Sequence, residues 1–439
     1  MNMKSRSMQD QEFRKAIENE LFGNILPFWM KIAPDEAHGG FYGAISNDLQ
    51  VLNRVPRSAI LCARILWAYS AAYRLYGEAA YLQMAERAYA YLTGALWDQH
   101  YGGVYWLVDY LGKPVNDRKH SYAQAFAIYG LSEYFRATRE VQSLQIAREL
   151  FQQLEAHAYD PVYKGYIEGC SREWGSLDDM RLSDKEINCR KSMNTLLHIM
   201  EAYTNLSRIW KDELPALCGQ LKRNVILSEA KDLDSSIATL SQNDRSKEAL
   251  WVRLRELIEI FLEHVIDPQT YHFKLFFDDR WSSLKNDVVS YGHDIEGSWL
   301  LVEAAEVLGE PVLIEKTRSC AVAMAEAVFH EGLDPDGSVI YEGISHLPES
   351  ADRHWWVQAE AVVGFYNAFQ ISGQAHFAQA ASGCWEYIED HFVDREYGDW
   401  FKVLNRQGIP YPDRYKVGPW ECPYHHSRAC MEMMQRLST

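Results

Sequence analysis

A short motif rich in glycine and aromatic residues recurs along the whole 439-residue chain, and a repeat of this kind leaves few architectures open. It stands at Gly39-Gly40-Phe41-Tyr42-Gly43, Tyr101-Gly102-Gly103-Val104-Tyr105-Trp106 and Lys164-Gly165-Tyr166-Ile167-Glu168-Gly169. It returns at Tyr271-His272-Phe273-Lys274-Leu275-Phe276, Asp336-Gly337-Ser338-Val339-Ile340-Tyr341 and Tyr397-Gly398-Asp399-Trp400-Phe401. Successive copies lie about 61–65 residues apart, apart from the third and fourth, which are about 107 apart. Aromatic residues alternating with polar ones beside glycine read as short hairpins.

Between consecutive hairpins lie two stretches with a 3.6-residue apolar period, the signature of paired amphipathic helices. The pairs fall at 57–76 with 79–97, 119–138 with 142–157, 191–209 with 249–265, 292–309 with 312–330 and 353–372 with 375–391. The leftover helices, 10–31 and 421–437, make a sixth pair from the two ends of the chain. Six hairpins and about twelve helices predict an all-α (α/α)6 barrel, an inner ring of helices inside an outer one. An open helical array is the alternative. Terminal helices that complete one another favour closure, and so a single catalytic domain over 1–439.

The long third gap holds Asn224 to Glu248, which is rich in Ser, Asp and Asn and lacks a sustained apolar face. It reads as a surface insertion. A second irregular stretch, Trp174 to Arg190, reads as a lid or a long loop.

Charge then narrows the partners. With 44 basic against 61 acidic residues the net charge is −17, which argues against nucleic acid or an anionic membrane as the main partner. No apolar stretch has the length and purity of a membrane span, and the N-terminus does not read as a signal peptide. The eight cysteines are scattered with no CxxC pair, which suits reduced thiols and a cytoplasmic protein. Monomer is the default expectation. Fourteen Trp, 26 Tyr and 17 Phe exceed what a core needs, and flat rings are well suited to the apolar faces of sugars.

The first helix of each pair is the candidate inner one, and each carries polar or aromatic groups near its start. These are Arg64 on the first, Tyr122 on the second, and Asn194 with His198 on the third. The fourth carries His293, Glu296 and Trp299, the fifth Trp356 and Glu360, and the last His425 and Arg428, with Trp420 just before it. Spacings of three and four place each set on one helix face. In a closed ring these starts converge at one mouth. Taken singly, each residue is more often structural: Arg64 is readable as an outer-surface residue, Trp355 and Trp356 as core, and Tyr122 and Gln124 as inter-helix packing. His426 is expected at the surface, because it cannot share the direction of His425.

Three imidazoles and two carboxylates raise the question of a metal, but no His-x-x-x-His pair is present, and no metal or cofactor is expected. Paired carboxylates also allow glycoside hydrolysis by inversion. Histidines are the most concentrated ionisable groups, however, and imidazoles near neutrality suit removal of a proton from carbon and its return. An arginine suits a developing enolate oxygen. The chemistry that fits best is proton abstraction beside a sugar carbonyl, with a small-molecule sugar as the partner.

Arg64-Ile65-Leu66-Trp67, Asn194-Thr195-Leu196-Leu197-His198, Tyr291-Gly292-His293-Asp294-Ile295-Glu296, Trp355-Trp356-Val357-Gln358-Ala359-Glu360-Ala361, and Gly418-Pro419-Trp420 with Cys422-Pro423-Tyr424-His425 form a specific set. They resemble the cellobiose 2-epimerase branch of the N-acylglucosamine 2-epimerase superfamily over nearly the whole chain outside the insertion. The resemblance implies an (α/α)6 barrel, no metal requirement, and reversible inversion at C2 of the reducing-end glucose of β-1,4-linked disaccharides. Free mannose or glucose is the competing substrate. It further implies His293 and His425 as the acid/base pair, His198 as a third imidazole and Arg64 as the group near the reacting oxygens. Glu296 and Glu360 would bond hydroxyls or orient histidines, and Trp299, Trp356 and Trp420 would form sugar platforms. Cys62 departs from the family pattern, which often has Asn two residues before the arginine.

Overall fold

The computed structural model describes residues 3–183, 186–213, 244–285, 287–344, 347–350 and 352–438. Six inner helices run as α3 (Ala59–Tyr76), α5 (Ser121–Thr138), α7 (Met193–Arg208), α9 (Tyr291–Leu308), α11 (Trp355–Ser372) and α13 (Tyr424–Arg436). The outer helices are α4 (Ala79–Thr93), α6 (Val141–His157), α8 (Asp244–Ile260), α10 (Pro311–Glu331) and α12 (Ala375–Tyr387). The sixth outer position is filled by α1 (Met3–Glu20) and α2 (Leu26–Ile32), joined by a π-helical turn at Leu21–Ile25. Each inner helix touches the next, and α13 touches α3, so the ring is closed. The barrel expected from the repeat is therefore the fold observed.

The inner helices are hidden almost all round. Every residue of α3 from Ala59 to Ala72 is buried. A helix apolar on all faces belongs inside another layer, whereas α6 buries one stripe, with Leu144, Ala147, Leu150, Phe151 and Leu154 inward. Two glycines let inner helices approach closely. A Cβ on Gly130 of α5 would meet the Ala63 carbonyl oxygen of α3 at 2.7 Å, and one on Gly364 of α11 would meet the Ile295 carbonyl oxygen of α9 at 2.7 Å.

Each hairpin turns on an aspartate. Asp35, Asp98, Asp160, Asp267 and Asp394 each accept two backbone N–H groups two and three residues on, and Asp336 accepts that of Ser338. The turn then needs a left-handed residue, supplied by glycine at 39, 102, 337 and 398 but by Lys164 (φ 67°) and Tyr271 (φ 61°) in the third and fourth copies. A basic residue two positions before an inner helix secures four of these turns: Arg57 to Asp35, Lys119 to Asp98, Lys191 to Asp160 and Arg353 to Asp334. These basic residues lie in two-residue strands. Arg57–Ser58 pairs with Leu107–Val108, Lys119–His120 with Gly169–Cys170, Lys191–Ser192 with Phe276–Phe277, and Arg353–His354 with Val403–Leu404. Val288–Val289 pairs with 343–344, and Ile45–Ser46 with Tyr415–Val417, a ladder that joins the two ends of the chain.

These ladders correct the expected helix starts. Residues 57, 119, 191 and 353 were expected in helices and are strand, and each helix begins two residues later. The last helix starts at Tyr424 and not at 421, with Pro423 at its N-cap. Of the expected insertion, 224–243 lies outside the described residues, whereas 244–248 begins α8 and is not part of a loop. The 174–190 segment, described except at 184–185, is fastened to the second hairpin unit. Trp174 donates to the Tyr101 carbonyl (2.9 Å), Arg118 to that of Arg181 (2.9 Å), and His120 Nε2 lies 3.1 Å from that of Met180.

Candidate active site

The inner helices begin at one mouth, so the first two turns of each surround one space. At its centre is Arg428, 1% exposed. Its guanidinium donates to Glu201 and to the Tyr424 hydroxyl, and through Nη2 to Glu296 (2.8 Å) and Glu360 (2.7 Å). It also lies over the rings of Trp299 and Tyr424, 4.8 and 4.3 Å from their centroids. Ligand atoms of Glu296, Glu360 and His425 lie within 4.8 Å of one another, close enough to share a cation. Arg428 already supplies that cation by bridging the two carboxylates.

The carboxylates in turn orient imidazoles. His425 Nδ1 lies 2.7 Å from Glu360 Oε1, and His198 Nδ1 lies 2.9 Å from Glu201 Oε2. Glu360 also receives Trp299 Nε1 at 3.0 Å. Burial raises the pKa of both Glu296 and Glu360, helped by Glu360 at the first and by Glu201 at the second, and Glu296 is pushed up to about 8. Glu360 is ringed by three donors, Arg428, Trp299 and His425, which favour its charged form over that of Glu296. Burial also pulls Glu201 upward, but Arg428 and His198 hold it down to about 2. A charged carboxylate accepts, so the Nδ1 hydrogen of His425 and of His198 points at it, and Nε2 keeps its lone pair.

Burial disfavours protonated imidazole throughout. It takes His293 down to about 3, helped by His198, and takes His198 to about 4 against the pull of Glu201. His425 is lowered well below its usual value by burial and by Arg64 and Arg428. All three are neutral at pH 7 and able to accept a proton. The indole of Trp356 stands between two of them, 4.9 Å from His293 and 5.5 Å from His425. Ser290 Oγ lies 2.7 Å from His293 Nδ1.

On the other side of the mouth Arg64 is 3% exposed. It donates to the Tyr122 hydroxyl (2.9 Å), lies 3.8 Å from Cys422 Sγ, and sits 4.3 Å over Phe126. Among the described residues no carboxylate pairs with it, and its Nε is buried without a partner. A buried guanidinium with no anion of its own is suited to one that forms during a reaction. Tyr122 packs on His198 (4.9 Å) and on Trp420 (5.8 Å), and Trp420 meets Trp106 (6.1 Å). Asn194, half-buried, has no partner for its Oδ1 among the described residues.

All twelve residues expected at the site are thus near the starts of inner helices, and eleven of them join this contact network. Asn194 opens the helix that carries His198 but is not joined to the others by these contacts among the described residues. The single-residue readings resolve individually. Arg64 is interior, Trp356 faces the site, and Trp355 is core at 5% exposure. Gln124 is structural, since it bonds both backbone groups of Val104. The expectation for His426 is overturned. It is fully buried with Nε2 2.7 Å from Asp399, because the outer layer covers the far face of α13. Cys62 points away from the site, with Sγ 3.3 Å from the Ala88 carbonyl of α4, so its departure from the family pattern does not touch the mouth. Glu201, Tyr424, Phe126 and Ser290 were missed as site residues. For Glu201 the signal was present, three residues after His198.

A closed helical barrel whose mouth gathers neutral imidazoles, a guanidinium with no carboxylate partner among the described residues, and indole walls is suited to moving protons on a sugar. The model of the N-acylglucosamine 2-epimerase (GlcNAc 2-epimerase) family matches residues 40–196 and 189–429, and the chain belongs to that family. A cellobiose 2-epimerase of Bacteroides fragilis is 44% identical over 428 residues, covering 97% of this chain and 99% of that protein. A cellobiose 2-epimerase of Ruminococcus albus is 36% identical over 421 residues, 96% and 98% of the two chains. The solved cellobiose 2-epimerase of Bacillus thermoamylovorans B4167 superposes with a TM-score of 0.84 at 37% identity, covering 97% and 100%.

Proposed function

We propose that this chain is an isomerase that reversibly inverts C2 of the reducing-end glucose of β-1,4-linked disaccharides, converting cellobiose to glucosylmannose and lactose to epilactose. The observation that carries the reading is the pairing of His425 Nδ1 with Glu360 at 2.7 Å beside an Arg64 that has no carboxylate partner among the described residues: a base with a bare Nε2 near a cation suited to a forming anion. Full-length similarity to cellobiose 2-epimerases supports the disaccharide as substrate.

A pyranose has no carbonyl, so the ring opens first, O1 losing a proton and O5 gaining one. The C2 proton is then acidic. It passes as H⁺ to the Nε2 of one imidazole, the C–H electrons form the C1–C2 double bond, and O1 becomes the enediolate oxygen that Arg64 stabilises. The first imidazole gives its proton up to the medium while the second takes one from it and delivers it to the opposite face of C2, so that both end neutral; the double bond closes back to the aldehyde, and the ring re-forms. His425 and His293 flank Trp356 from different helices, which supports their assignment to the two faces. His198 serves as a third proton-handling group. Tyr122, Asn194 and Trp420 line the sugar on one side, and Trp356 and Trp299 with Glu296 on the other. Neither metal nor cofactor enters these steps. The chain works as a single-domain monomer in the cytoplasm; light scattering that gives the mass of one chain is the check on the oligomeric state.

Incubation with cellobiose is the deciding experiment. Glucosylmannose is the expected product, with deuterium at C2 when the reaction runs in heavy water. Glucose would make the barrel a glycoside hydrolase, and conversion of free mannose alone would make it a monosaccharide epimerase.

A further inference from the structure

Three inner helices have serine at the N-cap, the position whose side chain ordinarily accepts the first free backbone N–H groups. Ser58 does so for α3, accepting from Ile60 (3.0 Å) and Leu61 (3.2 Å), and Ser192 does so for α7, accepting from Thr195 (3.2 Å). Ser290, 1% exposed at the head of α9, makes no such bond. Its hydroxyl is turned instead to His293 Nδ1 at 2.7 Å. The helix forgoes its cap, and an imidazole at the mouth gains a partner.

That partner differs in kind from those of the other two imidazoles. Glu360 and Glu201 are carboxylates that only accept, so neutral His425 and His198 meet the cavity with Nε2 bare. A hydroxyl both donates and accepts. We propose that Ser290 is a positioning residue for His293, holding Nδ1 in either neutral tautomer. His293 then faces the sugar with Nε2 bare, or with Nε2 carrying a hydrogen while the Ser290 hydroxyl donates to Nδ1. Ser290 itself exchanges no proton with the substrate. His293 is thereby the one imidazole of the three that, while neutral, can offer a hydrogen bond from Nε2 to a sugar oxygen. Ring opening and closing need a donor at O5, and burial makes a charged one costly.

The inference rests on the epimerase reading, so wild-type conversion of cellobiose is measured first; a wild type that leaves cellobiose unchanged defeats that reading before any variant is made. Ser290→Ala should then melt at the wild-type temperature, because no cap is lost. It should lower kcat about ten- to a hundredfold, as loss of a positioned catalytic group does, with KM within about twofold. Ser192→Ala, which removes a true cap, should lower the melting temperature and leave kcat unchanged. If Ser290→Ala does not fold, Ser290→Cys carries the test, since a thiol is a weak donor and acceptor, and the same loss of kcat is expected. A folded Ser290→Ala or Ser290→Cys enzyme with kcat within twofold of wild type overturns the proposal. So does a loss that appears in KM with kcat unchanged, or a melting temperature lowered as in Ser192→Ala with kcat retained.

Discussion

At the scale of the residue, the site is built from partners. No histidine at the mouth acts alone: each is defined by what its Nδ1 meets. Glu360 sets the tautomer of His425 while balancing Arg428, so the two functions can be separated by substitution. Glu360→Gln keeps the shape and removes the charge. Arg428 still has Glu201 and Glu296, and the fold should survive. An amide can present its NH2 to Nδ1 and force the hydrogen onto Nε2, which blocks the base. Loss of about a hundredfold or more in kcat is expected, the range for a positioned general base, with sugar binding much less affected. Turnover within a few-fold of wild type would show that His425 does not depend on Glu360.

At the scale of the element, one design is used six times. An aspartate closes a hairpin, a short strand follows, and an inner helix begins. Where the strand before an inner helix carries a basic residue, that residue pairs with an aspartate of a hairpin. The close contact between inner helices depends on small residues, and Gly364 tests it. An added Cβ would sit 2.7 Å from the Ile295 carbonyl oxygen and 2.6 Å from its side chain, and backbone in the middle of an inner helix cannot give way easily. Helix propensity alone favours alanine over glycine by about 1 kcal/mol, while overpacking costs about 1–3 kcal/mol. Gly364→Ala should therefore be destabilising, read as a lower midpoint in urea. A higher midpoint would mean that α9 and α11 part without penalty. The helix starts show the limit of reading elements from periodicity. Residues 57, 119, 191 and 353 continue the helical pattern, yet pairing with a strand from the next unit takes them into a ladder, and no local signal announces that partner.

At the scale of the whole molecule, burying so many titratable groups makes stability depend on pH. His293, His198, His120 and His426 are lowered to about 3, 4, 3 and 4, chiefly by burial. In the unfolded chain they titrate near 6.5, so below that pH the unfolded state binds more protons and stability falls as pH drops toward 4. Glu168 and Glu186 are raised by burial to about 8 and 7, and Glu296 is raised with them. Their contribution is full below the unfolded value of 4.5 and is lost as pH rises toward 8. Between 4.5 and 6.5 the two sets oppose each other; below that window the histidines act alone, and above it the carboxylates do. The melting temperature should therefore fall both below about pH 4.5 and above about pH 6.5. A melting temperature still rising between pH 5 and 4 would show that the buried imidazoles are not neutral in the folded protein.

The sequence by itself determined the architecture and most of the site's membership. A repeat of constant length, helical periodicity between the hairpins and half-pairs left at each end allow few arrangements, because each amphipathic face must be buried by a neighbour. Arg64, His198, His293, Glu296, Glu360, His425 and Arg428 could be placed at one mouth from their shared position on successive helices. What only the tertiary structure decided was pairing: that Glu360 faces His425, that Glu201 bridges His198 and Arg428, that Ser290 leaves its helix for His293, and that His426 is buried against Asp399. Helical spacing fixes which residues share a face, to within a turn. The partner of a side chain lies on another helix tens to hundreds of residues away, and its identity depends on how the closed ring sets the rotation and height of each helix against the next.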